Sequence, residues 1–243
     1  MKPIAYREMY ENELSHAWYV TTRKLMINIL KKHLKMNAKI LDVGCGTGGT
    51  IKFLKEAGFI NVSGLDNHHQ AIKYCHKRGL KNVLLGDVNN LPFKSQSFDG
   101  VICMDVLYHK GVNPQKALGE FRRVLKSDGI LYIEEPSYNW IKSKHDSVIE
   151  TDRRYTTSSI ENLVKSGNFN ILKRSYFNSI LSFPIFIKKL KDKVSSQHTE
   201  SSDVYRLPTL VNSVMLSIME VEGLLVKNSN LPFGLSVISV VKK

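Results

Sequence analysis

The stretch ILDVGCGTGGT, Ile40 to Thr50, constrains this chain more than any other. A short apolar run ends in a cluster of glycines, and the residues that follow, GTIKFLKEAG, carry apolar side chains at helical spacing and stop at Gly58. The same alternation then repeats. NVSGLD reads as a second strand, NHHQAIKYCHKRG as a helix closed by Gly79, KNVLLGDV as a third strand and FDGVICMDVLYH as a fourth. NPQKALGEFRRVLKSDG, with Pro114 near its start, reads as another helix and ILYIEEP as a fifth strand. Strand, helix and strand repeated in this way predict a parallel sheet with right-handed crossovers and helices on both faces. The fold class is α/β, doubly wound.

A helical lead, roughly Tyr6 to Leu34, precedes this core. After it come a loop from Ser137 to Thr157, a helix around Ser158 to Lys165, and the strand-like FNILKRSYF. An apolar and basic stretch, ILSFPIFIKKLKDK, a polar linker, SSQHTESSD, a helix, TLVNSVMLSIMEVEGLLVK, and a final strand, GLSVISVVKK, complete the chain and bring the strands to seven. With 42% hydrophobic residues, 243 residues suffice for one well-buried core. We read residues 1–243 as a single domain: a helical lid at 1–37, a cofactor-binding core at 38–136, and a substrate-side and C-terminal portion at 137–243 with a helical insertion at about 180–230.

The formal charge of +13 suits a polyanionic partner. The lysines and arginines are scattered, as in ILKKHLK and CHKRGLK, so a solvated basic surface is the reading and nucleic acid is not the expected partner. Cys45, Cys75 and Cys103 show no C-x-x-C spacing, which fits a reducing compartment. No apolar h-region follows the N-terminus and no window reaches the ~18 apolar residues of a membrane span. A cytoplasmic location is therefore expected. His68 and His69 are adjacent on a helix and point apart, so no metal is expected there.

The glycine turn fits two cofactors. Gly44, Gly46 and Gly49 match the G-x-G-x-x-G of a dinucleotide turn; Gly44, Gly46 and Gly48 match the G-x-G-x-G associated with S-adenosylmethionine. Asp66, ending the second strand, can accept from the ribose diol of either. Asp42, two residues ahead of the turn, separates them: its carboxylate suits an α-ammonium and repels a pyrophosphate. Asp87 closes the third strand, where it can accept from an adenine amine with Val88 beside the ring, and Cys103 to His109 end the fourth strand at the same crevice.

From about Lys39 to Pro136, the combination of LDVGCGTG, the acid after the second strand, GDVNNLPFKSQSFDGVICMDVLYH and EFRRVLKSDGILYIEEP resembles class I S-adenosylmethionine-dependent methyltransferases, in particular the type 11/25-like small-molecule group. The resemblance implies a Rossmann-like fold, S-adenosylmethionine as methyl donor and S-adenosylhomocysteine as product. It implies that Gly44, Cys45, Gly46 and Gly48 wrap the methionine part, that Asp66 with Asn67 holds the ribose, that Asp87 and Val88 hold the adenine, and that Met104 begins the methyl-transfer side. The flanks ELSHAWYVTTRKLM, EPSYNWIKSKHD and RRYT, with the closing LPFGLSVISVVKK, look like a bacterial subgroup, some of whose members lie among sugar or polysaccharide genes. That subgroup carries an aromatic where this chain has Ala17, and Gly and His where it has Glu150 and Thr151.

Methyl transfer from a sulfonium is an in-line displacement by an activated donor, so alignment in a dry pocket contributes most and a base helps hydroxyl or ammonium acceptors. His109 in DVLYHK is the leading base candidate, with His145 and Asp146 in SKHD second. Tyr108, Arg153, Arg154 and Tyr155 are candidates for substrate contact. In the lead helix, His16, Tyr19 and Arg23 share a face; the resemblance implies that this helix closes over the cofactor, with Tyr19 in an aromatic lid, Arg23 near the methionine carboxylate and His16 toward substrate. ILSFPIFIKKLK reads as a pocket cover or dimer contact, with a membrane-surface role as the lesser reading. The expected activity is methyl transfer to O or N of a small acceptor such as a sugar, glycan precursor or secondary metabolite. A tRNA methyltransferase, a non-catalytic cofactor-binding protein and a dehydrogenase are the competing readings.

Overall fold

The computed structural model describes residues 3–142, 150–183 and 207–243. Its strands are β1 (Lys39–Val43), β2 (Asn61–Asp66), β3 (Val83–Leu85), β4 (Phe98–Met104), β5 (Leu125–Pro136), β6 (Asn170–Phe177) and β7 (Ser236–Lys242). Its helices are α1 (Pro3–Asn12), α2 (Ala17–Leu30), α3 (Gly49–Glu56), α4 (His69–Lys77), α5 (Pro114–Val124), α6 (Thr157–Ser166) and α7 (Thr209–Asn228). The strands form one seven-stranded sheet in the order β3-β2-β1-β4-β5-β7-β6, parallel except for β7, which runs antiparallel between β5 and β6. The doubly wound, mostly parallel sheet expected from the alternation is what the chain forms.

Side chains alternate across the sheet. Leu41, Val43, Val101, Cys103, Leu131 and Ile133 join one core cluster with Phe121 of α5 and Leu163 of α6. Ile40, Ile102, Tyr132 and Ile238 join the other, with Leu25 of α2, Ile51 of α3 and Met219 of α7. Tyr132, Phe59, Phe121 and Phe177 are the largest side chains removed entirely from water, each contributing about 1.5–3 kcal/mol.

Three local expectations change. The single helical lead divides into α1 and α2, because His16 takes the N-cap of α2 and its Nδ1 accepts from the amide of Trp18 at 3.2 Å. The fourth strand stops at Met104, where Asp105 turns into the left-handed region at φ 55°. The third pairs only over Val83–Leu85, and Asp87 instead bridges to Asn90.

α7 lies along α2: the amide of Ala17 donates to Asn212 Oδ1 at 2.8 Å and Lys32 Nζ donates to the Lys227 carbonyl at 2.9 Å. Ala17 is fully buried in that contact. Glu222 of α7 accepts from the amides of Ser179 (2.7 Å) and Ile180 (3.1 Å), fixing the chain as it leaves β6. The outer side of α7 exposes Leu210, Val214, Val221 and Leu224. By length and composition α7 is apolar enough to cross a membrane, which corrects the expectation that no window qualifies. Asn212, Ser213, Ser217, Glu220 and Glu222 interrupt the apolar run without lowering its average enough.

Candidate active site

The turn after β1 is held open on glycine. Gly44, Gly46 and Gly48 adopt φ of 69°, 53° and 86°, where a Cβ is strained. The amides of Gly44 and Cys45 both donate to the Leu65 carbonyl, at 2.7 and 3.0 Å, which draws the turn onto the end of β2. There Asp66 Oδ2 accepts from the amide of Gly46 at 2.9 Å and Oδ1 from that of His68 at 3.0 Å. Burial raises the Asp66 carboxyl and these two donors oppose it. Cys45 is buried beside Cys75, and the contact with that thiol, together with burial, raises its own well above the usual range. Asn67 is exposed beyond Asp66.

Asp42 is the unusual residue. It is 2% exposed, and its Oδ2 has no hydrogen-bond partner. Burial pushes its carboxyl up to about 8, against the pull of Arg23. A buried, unsatisfied carboxylate oxygen costs free energy unless a donor reaches it, so this atom is suited to a cationic group entering the crevice. The α-ammonium of an amino-acid ligand fits that requirement, with Arg23 near enough to hold the matching carboxylate.

Three side chains lie over this turn from the N-terminal segment. The ring of Tyr6 stacks on His68 with centroids 4.7 Å apart. Met9 packs on Gly46, and the carboxylate of Glu13 takes hydrogen bonds from Arg23, from Thr47 and, at 2.7 Å, from Arg78. Arg23 also donates to Thr50 Oγ1 at 3.1 Å, and its guanidinium lies 5.2 Å from the Tyr19 ring. Arg23 and Tyr19 sit together beside the turn, whereas His16 caps α2.

The ends of β4 and β5 carry a second group of acids. Met104 is in register with Glu134, on the same side of the sheet as Asp42. Glu134 Oε2 accepts from Tyr132 Oη at 2.9 Å, and burial, then the charge of Asp105, pushes its carboxyl up to about 8. The amide of Asp105 donates to the Glu134 carbonyl at 2.9 Å. Asp105 is exposed just past the end of β4. Nearby protein pushes its carboxyl up to about 6, with Arg154 and Arg23 opposing.

Glu135 points to the opposite side, where its carboxylate accepts from the amides of Val106 (3.1 Å), Leu107 (2.8 Å) and Tyr108 (3.2 Å). This one side chain holds the loop that follows β4. Glu135→Ala leaves those donors buried without an acceptor and is expected to lower stability by at least about 2 kcal/mol, read from the denaturant midpoint at constant slope.

The remaining candidates separate. Arg153 donates to the carbonyls of Val112 (2.9 Å) and Leu107 (3.3 Å), and the buried Tyr155 hydroxyl donates to Leu107 at 3.1 Å, so both brace the 107–112 loop. They also line an open cleft of about 730 Å³ between that loop and α6, on the α5 and α6 side of the sheet. Arg154 donates to the Ser137 carbonyl at 3.2 Å and is close enough to Asp105 to lower its pKa. The Tyr108 and His109 rings lie 4.2 Å apart, and His109 bridges to Thr151. Asn89 ties this region to the third-strand loop, donating to the Gly111 carbonyl at 3.1 Å and to Asp87 Oδ1 at 2.9 Å; Val88 is buried beside it. His145 and Asp146 lie outside the described residues.

Glu13, Arg78, Asp105 and Glu134 are additions to the sequence-derived set. Two adjacent acids closing an apolar strand, in ILYIEEP, were the available signal for Glu134. Glu13 and Arg78 carry no such signal, because they are distant in sequence and meet only in the fold.

A model of the methyltransferase domain matches residues 41–133. The ubiquinone/menaquinone biosynthesis C-methyltransferase UbiE of Campylobacter jejuni is 29% identical over 207 residues, covering 69% of this chain and 86% of the relative. The sterol 24-C-methyltransferase erg6 of Schizosaccharomyces pombe is 31% identical over 128 residues, covering 49% of this chain and 32% of the relative. In fold, the chain is similar to a Haemonchus contortus phosphoethanolamine N-methyltransferase 2 solved in complex with S-adenosyl-L-methionine, with a TM-score of 0.58, 18% identity, and coverage of 88% of this chain and 51% of that one. The dinucleotide alternative is thereby set aside: these matches support a class I S-adenosylmethionine-dependent methyltransferase, with S-adenosylmethionine as the cofactor.

Proposed function

We propose that the chain methylates a small organic acceptor seated over the ends of β4 and β5, at an oxygen or nitrogen whose proton passes to Asp105. The observation that carries this reading is the strand-end acid pair: Asp105 is exposed past β4 with its amide on the Glu134 carbonyl, and Glu134 is buried in register with Met104, their surroundings pushing the first up to about 6 and the second up to about 8. Two carboxyls whose environments separate their pKa values in this way can divide the work at neutral pH, one ionised and accepting, the other protonated and donating. Asp42 receives the cofactor's ammonium, Arg23 its carboxylate, Asp66 the ribose and Asp87 with Val88 the adenine. Arg154 faces the acceptor side. S-adenosylmethionine, when bound, supplies the electrophilic methyl; the protein aligns the acceptor, excludes water and takes the proton.

A second reading, transfer to carbon, is favoured by the printed activities of the C. jejuni and S. pombe relatives, both C-methyltransferases. An acid that withdraws a proton from a phenolic or enolic acceptor serves that reaction as well. The test is a screen of hydroxylated, amine and quinol-type acceptors with methyl-labelled S-adenosylmethionine, locating the added methyl by NMR. A product labelled on O or N supports the first reading; label only on carbon replaces it with the second.

A further inference from the structure

We propose that α1 and the residue following it, Glu13, form an internal plug that occupies the cofactor groove and must withdraw for S-adenosylmethionine to bind. The inference rests on the cofactor positions assigned above.

The residues assigned to three different parts of the cofactor are each covered by one side chain of this segment. Tyr6, 4% exposed, stacks on His68, and its hydroxyl faces the Asp66 carboxylate, the acceptor for the ribose diol. Met9 places its Sδ 2.9 Å from where a Cβ on Gly46 would lie, directly on the backbone along which the methionine part runs. Glu13, 1% exposed, gives its carboxylate to Arg23, Arg78 and Thr47 and rests against Gly49 at the start of α3.

The chemistry matches position by position: a hydroxyl on the ribose acceptor, a thioether on the methionine track, a carboxylate on the arginine. The ammonium and the adenine have no counterpart in this segment, and Asp42 Oδ2, the acceptor assigned to the ammonium, is left without a partner. The plug also has an anchor of its own. Tyr10 stacks on Tyr74 at 4.6 Å and its carbonyl accepts from Arg78 at 2.9 Å, so α1 can pivot on α4 while Tyr6, Met9 and Glu13 leave. Two carboxylates cannot use Arg23 in the same way at once, so cofactor affinity is reduced by the fraction of molecules with the plug seated.

The test is calorimetric titration of S-adenosylhomocysteine into the full-length protein and into Glu13→Gln and Met9→Ala, with circular dichroism confirming the fold of each. Both variants are expected to bind about tenfold tighter than the parent. In the parent, amide hydrogen exchange across residues 4–13 is expected to rise when S-adenosylhomocysteine binds. Unchanged or weaker binding in both variants, or protection of residues 4–13 by the ligand, overturns the plug and makes α1 a lid that closes over the cofactor. Should a variant not fold, the exchange measurement on the parent decides alone. A parent that binds no S-adenosylhomocysteine overturns the cofactor positions as well, an outcome distinct from a parent that binds it and gains nothing from the substitutions.

Discussion

Asp42→Asn is expected to weaken S-adenosylmethionine binding by roughly ten- to a hundredfold. The carboxylate oxygen without a partner is the natural acceptor for the α-ammonium, and a buried charge-assisted hydrogen bond contributes about 1.5–3 kcal/mol. The effect has a pH signature with a defined sign. With its carboxyl pushed up to about 8, Asp42 is mostly protonated at neutral pH and must ionise to receive the ammonium. Binding therefore releases a proton at pH 7, and affinity rises with pH toward about 8. Above that, the ligand's own α-amino group, near 7.7–8.0 in the free state, loses its proton and affinity falls again. Titrations in two buffers of different ionisation enthalpy measure the released proton directly. Asp42→Asn should abolish it, and a variant that still releases it places the proton elsewhere.

Asp105→Asn is expected to lower kcat by about 10²–10⁴ for an O–H or protonated-amine acceptor, with cofactor affinity nearly unchanged. In the parent, kcat should rise with pH through about 6 as Asp105 ionises and becomes able to accept a proton. Removal of the side chain should leave a flat profile there. The two base candidates, Asp105 and His109, are separated by substitution, not by the profile alone. His109→Ala is expected to retain most of the turnover. If His109→Ala loses transfer while Asp105→Asn keeps it, the base is the histidine and the carboxylate only shapes the pocket.

How far the sequence could carry this site depends on the range of the interactions that build it. The turn at Gly44 to Gly48 and the acid at Asp66 were legible because each is written locally: positive φ demands glycine, and a parallel strand must end where Asp66 stands. Asp42 was legible as an acid beside the turn because it precedes that turn by two residues on the same strand. The division of the lead into α1 and α2 was not, since it depends on His16 folding back to cap Trp18 while Asn212 of α7 takes the amide of Ala17. Glu134 and Glu135 were read within the fifth strand, where they are, but their opposite roles were not legible: they follow from β7 pairing antiparallel as far as Pro136, with Glu134 toward the crevice and Glu135 toward the 106–108 amides. Arg153 and Tyr155 read as substrate contacts from their residue types, and the fold uses them to brace a loop.

The charge of +13 resolves in part into local arrangements. Arg23 and Arg78 are drawn inward by Glu13, whereas Arg7 and Lys52 form exposed i, i+4 pairs that add little stability. Net charge was for this reason a poor guide to partners, and the placement of a few buried acids a better one.

The central claim, that the groove beside Asp42 holds S-adenosylmethionine, is tested most directly by calorimetric titration of the full-length protein with S-adenosylmethionine and, separately, with NAD. Saturable binding of S-adenosylmethionine at one site, with no heat from NAD, is the predicted result; binding of NAD without S-adenosylmethionine would contradict the account.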